Sequence, residues 1–147
     1  MVKLGAITLY ICVCMATLSC QSYTTGLQQS VRKTDDIAAI AALHSIAAAQ
    51  RTYSLTSGGD YGTFQQLCAG GYLDSRFNSS KPEVKGYLLT MDVSQKSGNE
   101  TPGSFSCNAD PIRADQGGRH FYIDSTSPEI HVNPGQPATA KDGALQP

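Results

Sequence analysis

The sequence predicts an α+β domain: one N-terminal α-helix packed on an antiparallel sheet of three or four strands. Three observations carry that expectation. Residues 36–55 form an Ala-rich run with neither Gly nor Pro, long enough for about 30 Å of helix. Beyond Gly86, apolar and polar residues alternate with the period of two that marks a half-buried strand. Residues 119–133 read as two such strands joined by a turn.

The chain has 147 residues, enough for one domain with a single modest core. A net charge of -1, with Lys and Arg scattered, gives no electrostatic case for nucleic acid or an anionic membrane surface. No nucleic-acid partner is expected.

Met1, Val2 and Lys3 lead into the mostly apolar residues 4–18, the build of a signal peptide covering 1–19. The apolar stretch is short for a transmembrane helix, which needs about 20 residues. Ser19 followed by Cys20 places a thiol as at the lipid-modified Cys of a bacterial lipoprotein, so Cys20 is the candidate lipidation site and the membrane attachment. Thr17 and Ser19 equally suit ordinary signal peptidase, which leaves plain secretion as the alternative, with a retained anchor as a third. Residues 20–35 then read as a polar tether, although Leu27 and Val31 could extend the helix backwards.

In the helix, Thr34 and Asp35 are the expected caps. Ile37, Ile40, Leu43 and Ile46 fall on a bulky half expected to lie on the sheet, with Ala38, Ala41, Ala42, Ser45, Ala49 and Thr52 on a small half. His44 points along the bulky side and is expected at the core or its boundary. Residues 57–62, with three Gly, form a loop rather than a phosphate cradle, because no strand precedes them and the motif spacing is wrong. A short helical turn over 63–69 is capped by Thr63 and stopped by Gly70 and Gly71.

The first strand spans 86–94, with Tyr87, Leu89, Met91 and Val93 on one face; the second spans 104–109, with Phe105, Cys107 and Ala109 on one face. In the final hairpin, 119–124 and 129–133, Phe121, Ile123, Ile130 and Val132 face the core while His120, Tyr122, Asp124, Glu129, His131 and Asn133 face out. The tail, 134–147, lacks apolar pattern and is expected to be disordered.

Several local stretches, in order, resemble the globular part of type IV pilins and the pseudopilins of type II secretion. They are Ala47-Ala48-Ala49-Gln50-Arg51-Thr52-Tyr53-Ser54, Tyr61 leading to Leu67 and Gly71-Tyr72-Leu73-Asp74, Lys85-Gly86-Tyr87, and Asn108-Ala109-Asp110-Pro111. The run Gly117-Gly118-Arg119-His120-Phe121-Tyr122-Ile123-Asp124, with Ile130, resembles the GxRxFxxD-turn-I ending of prepilin-like proteins. The resemblance covers about residues 36–146, including Pro137-Ala138-Thr139-Ala140 of the tail, and implies a pilin-like α+β domain over 36–133. Pilins carry a leader ending in Gly, then Phe-Thr-Leu-x-Glu and an unbroken apolar helix; here Tyr10 stands where Glu is wanted and 20–36 are polar. A pilin-like head behind a signal peptide, rather than a working pilin, is what the likeness implies.

Cys68 and Cys107 are the two thiols of the globular part, and in an exported chain they are expected to pair. Closing that loop would stabilise the fold by roughly 4 kcal/mol. His120 and His131, with Asp124 and Glu129 near the turn, could share zinc, though solvated side chains are the commoner outcome on such a face. Asp110, Asp115 and Asp124 are the carboxylates that could serve calcium, as in major pseudopilins, but their spacing matches no calcium loop. No metal or cofactor is therefore assigned. Two glycosylation sequons, at Asn78 and Asn99, matter only in a eukaryotic source. With no nucleophile, base and stabiliser visible together, no enzyme is expected. The expected role is that of an exported envelope component, lipid-anchored, periplasmic or at the cell surface, or else secreted, working through other envelope, pilus or secretion-system proteins. The alternative is a small binding module using the outward face of the C-terminal hairpin.

Overall fold

The structure, a computed structural model, describes residues 2–97, 102–113 and 117–146, with side chains from Gln29 on. Helix α1 spans Val2–Thr56. The chain divides into two compact units, Met1–Thr34 and Asp35–Pro147, and the second holds the sheet and the hydrophobic core. The expected tether over 20–35 is helical, and Thr34 and Asp35 lie inside α1 rather than capping it. Nothing in the sequence stops a helix there: no Pro occurs before Pro82. The Thr34 hydroxyl instead donates back to the Ser30 carbonyl one turn earlier, at 3.1 Å. The signal peptide and the lipidation site at Cys20 fall among side chains outside the described ones. Among the described residues, no helix is long and apolar enough to cross a membrane.

Within the second unit, α1 packs on a five-stranded antiparallel sheet, one strand more than the upper expectation. The strands are β1 (Glu83–Val84), β2 (Tyr87–Ser94), β3 (Ser104–Pro111), β4 (His120–Asp124) and β5 (His131–Asn133), each paired with its sequence neighbour. The extra strand is β1, held by a two-residue turn in which Lys85 (φ 47°) and Gly86 (φ 78°) are both left-handed, so that Val84 meets Tyr87. Two positive φ angles give the turn that matches the natural twist of a hairpin. β1 was too short for its alternation to register.

Helix α2 (Phe64–Ala69) follows the glycine loop and starts with a reciprocal capping box. Thr63 Oγ1 accepts from Gln66 N–H while Gln66 Oε1 accepts from Thr63 N–H. Phe64 and Leu67 put its inner side into the core, and a 3-10 turn over Ser75–Phe77 adds Phe77.

Phe121, Ile123 and Ile130 sit in one cluster with Leu43 and Ile46 of the helix, with Val132 packed against it. The helix face differs from expectation. Ile37 is 66% exposed and His44 is on the surface, while Ala39, Ala42, Ala47 and Ala49 are buried beside Leu43 and Ile46. The face is rotated toward its small side chains, which let the helix backbone approach the sheet. Two polar residues, Asp36 and Gln50, are drawn into the same face by bonds that apolar periodicity does not register.

The tail is ordered through Gln146. Val132 N–H donates to the Gly143 carbonyl at 3.0 Å, Leu145 N–H to the Ile130 carbonyl at 2.6 Å, and His131 and Ala144 form an antiparallel bridge. Residues 134–146 thus form a strap along β5. Asp142 knots it: its carboxylate accepts from Thr139 N–H and Oγ1 and from Asn133 Nδ2. Only Ala138, which is buried, and Leu145, which packs against the core, give it apolar hold, too little to make a pattern.

Candidate functional site

Two polar groupings flank the sheet. On the helix side, Asp36 projects from α1 between β2 and the segment leading into β4. Tyr87 Oη donates to Asp36 Oδ1 at 2.5 Å, and Arg119 Nε donates to Asp36 Oδ2 at 2.9 Å. The Arg119 guanidinium also lies over the Phe121 ring, 5.3 Å from its centroid. Burial, and then the hydrogen bond to Asp36, push the Tyr87 phenol well above its ordinary value, so it remains a donor. Further along α1, the wholly buried Gln50 donates from Nε2 to the Gly62 carbonyl (2.6 Å) and accepts from Gly62 N–H (2.9 Å). That pair anchors the glycine loop to the helix.

The outer face of the sheet holds the metal candidates, and the structure engages each one separately. His120, expected to face solvent, is buried, with Nδ1 2.6 Å from Asp110 Oδ1. Asp110 sits opposite it on β3, one step beyond the paired Ala109 and Phe121. His131 Nδ1 meets the Asp142 carbonyl of the strap at 2.7 Å, and its ring stands edge-on to Tyr122. Asp124 Oδ1 accepts from Thr126 N–H and Oγ1 and from Ser127 N–H, and Oδ2 accepts from the Tyr122 hydroxyl. Burial favours its neutral form, but these bonds together outweigh burial and hold the carboxyl below its ordinary value. Glu129 is exposed beyond the turn. Among the described residues, no three or more His, Cys, Asp and Glu come together as a metal site. Asp115, the third calcium candidate, lies outside the described residues.

The strap bears on the outward hairpin face proposed for binding. Asn108 Nδ2, on that face of β3, donates to the Ala138 carbonyl at 2.8 Å, while His131 and Asn133 are both tied to Asp142. Asn133 Oδ1 also accepts the N–H groups of Gly135 and Gln136, turning the chain back over β5. The face is thus occupied in part by the chain's own C-terminal segment.

The expected bond between Cys68 and Cys107 is not formed: both are free thiols. Each has its own environment. Cys68 Sγ, at the end of α2, donates to the Asp74 carbonyl at 3.3 Å, whereas Cys107 lies wholly inside the core at the middle of β3. Burial, with Asp110 and Asp92 adding to it, pushes the Cys107 thiol far up, and burial and then Asp74 raise Cys68, so both are held as neutral thiols rather than nucleophilic thiolates.

Each residue of the GxRxFxxD run has a structural task. Gly117 adopts φ 77°, Arg119 holds Asp36, Phe121 fills the core and Asp124 ties the turn after β4. The pairing of Asp110 with His120 could have been found from the sequence, since the two occupy matching places either side of one interstrand connection. The Asp36 triad could not, because its members are 51 and 83 residues apart. None of the protein-family models, curated proteins or solved structures compared with this chain matches it.

Proposed function

We propose that this protein is a non-enzymatic, pilin-like or pseudopilin-like component of a bacterial cell envelope, exported and held at the membrane by lipid on Cys20. Its role is structural, exercised through contacts with other envelope, pilus or secretion-system proteins. The observation that carries the reading is the division of α1: only its part from Asp35 onward belongs to the unit with the sheet, while the described side chains before it, 29–34, are exposed. A small helix-on-sheet head in the second unit is the arrangement that the sequence resemblance leads one to expect. The polar residues Asp36, His120 and Asp124 are engaged in internal hydrogen bonds, which supports an architectural part.

Mass spectrometry of the mature N-terminus, combined with cell fractionation, tests this. The reading expects a chain starting at an acylated Cys20 in the membrane fraction, and release from that fraction on Cys20→Ala. A mature chain that begins at Met1 and remains in the cytosol would end it.

A further inference from the structure

Where α1 crosses the ends of β3 and β4, a cleft of about 270 Å³ opens between the helix and the turn following β4. Its apolar lining is Ala47, Pro128 and the rings of Tyr61 and Phe105, whose centroids are 5.1 Å apart. Of its polar side chains, Arg51, Ser125 and Ser127 have protons to offer, whereas Thr126 gives its hydroxyl proton to Asp124. Arg51 is exposed and makes no hydrogen bond or ion pair among the described residues. Ser125 Oγ accepts from Phe105 N–H, and Ser127 Oγ accepts from Glu129 N–H, which leaves each hydroxyl proton to be donated. Asp124, the one carboxylate lining the cleft among the described residues, is occupied by Thr126, Ser127 and Tyr122.

A concave site with an unpaired guanidinium, two hydroxyl donors and an apolar floor is matched by an acceptor-rich anion on an apolar stem. We infer that this cleft binds a carboxylate carried on a short aliphatic or aromatic group. Arg51 pairs with the carboxylate, Ser125 and Ser127 donate to it, and the stem lies against Phe105 and Tyr61. The volume falls just below the usual range for small-molecule pockets, which limits the occupant to about one residue's worth of atoms. A free small acid and the C-terminal residue of a peptide share this chemistry. The inference goes beyond the envelope role and does not depend on it.

The test is an NMR titration of the purified protein with 4-methylpentanoate, N-acetyl-leucine and the uncharged N-acetyl-leucinamide, each taken into the millimolar range. Backbone amides of Tyr61, Ser125 and Ser127 should shift with the acids, and the amide should bind at least about tenfold more weakly, the loss expected of a charge-assisted pair. Arg51→Gln should weaken the acids by a similar factor. Because the Arg51 side chain makes no hydrogen bond or ion pair among the described residues, the spectrum of Arg51→Gln should otherwise match the parent, and Arg51→Lys should restore part of the affinity. Binding of N-acetyl-leucine alone identifies a peptide terminus as the source, and binding of 4-methylpentanoate alone a free acid. Absence of shifts at these residues, equal binding of acid and amide, or indifference to Arg51→Gln would each overturn the inference.

Discussion

The Tyr87 hydroxyl and the Asp36 carboxylate meet at 2.5 Å across the boundary between helix and sheet, 51 residues apart in the chain. With Arg119 on the second carboxylate oxygen, this contact fixes how α1 is rotated on the sheet. Asp36→Ala removes the shared acceptor and leaves the buried Tyr87 hydroxyl without a partner. It should cost about 2 kcal/mol in urea unfolding, and Asp36→Asn clearly less. Arg119→Ala should cost less than Asp36→Ala, because its side chain is 44% exposed and water can replace it as a donor to Asp36.

The thiols make a second test. Alkylation followed by peptide mapping should modify Cys107 only after unfolding and Cys68 slowly in the folded state, since burial keeps both neutral. A non-reduced digest should contain no peptide linking the two. Cys107→Ser would place a hydroxyl in the apolar core at a cost of about 1 to 3 kcal/mol.

Truncation at Asn133 removes the strap. The backbone bonds from Val132 to Gly143 and from Leu145 to Ile130, about 1 kcal/mol each, go with it, and β5 gains an open edge. A lower Tm together with concentration-dependent association in light scattering is the expected outcome.

Acid should loosen the same region. Hydrogen bonds from Asn133 and then Thr139 hold the Asp142 carboxyl below its ordinary value, and Asp124 is depressed too. A depressed carboxyl contributes stability that is present above its unfolded value, about pH 4, and is lost as pH falls through the native one. Urea midpoints should therefore drop below about pH 4, and the drop should be shallower in Asp142→Asn.

Lys85 offers a change in the opposite direction. It is exposed and holds φ 47°, a conformation that costs an L-residue roughly 1 kcal/mol. Asn tolerates it better, so Lys85→Asn should raise stability by about 0.5 kcal/mol in thermal or urea unfolding, with no change in the β1 to β2 register.

Much of this head was legible from local pattern. The uninterrupted Ala-rich run, the alternation at Tyr87 and Leu89, at Phe105 and Cys107, and at Phe121 and Ile123, and Thr63 before α2 each announced an element by its own periodicity or cap. What escaped depends on partners distant in sequence or on polar bonds. Asp36 and Gln50 turn the helix toward its alanines, so Ile37 is left in water. His120 is buried because the β3 and β4 register places Asp110 beside it. The strap follows β5 through main-chain bonds and one aspartate, neither of which produces a hydrophobic rhythm.

The sheet has a kinetic consequence. Because every strand hydrogen-bonds to the one just before it in the chain, no crossover has to close, and the meander can zip from one hairpin to the next. The slow event in refolding is then the arrival of Leu43 and Ile46 on Phe121 and Ile123, a docking step that spans most of the second unit and has to await a finished surface.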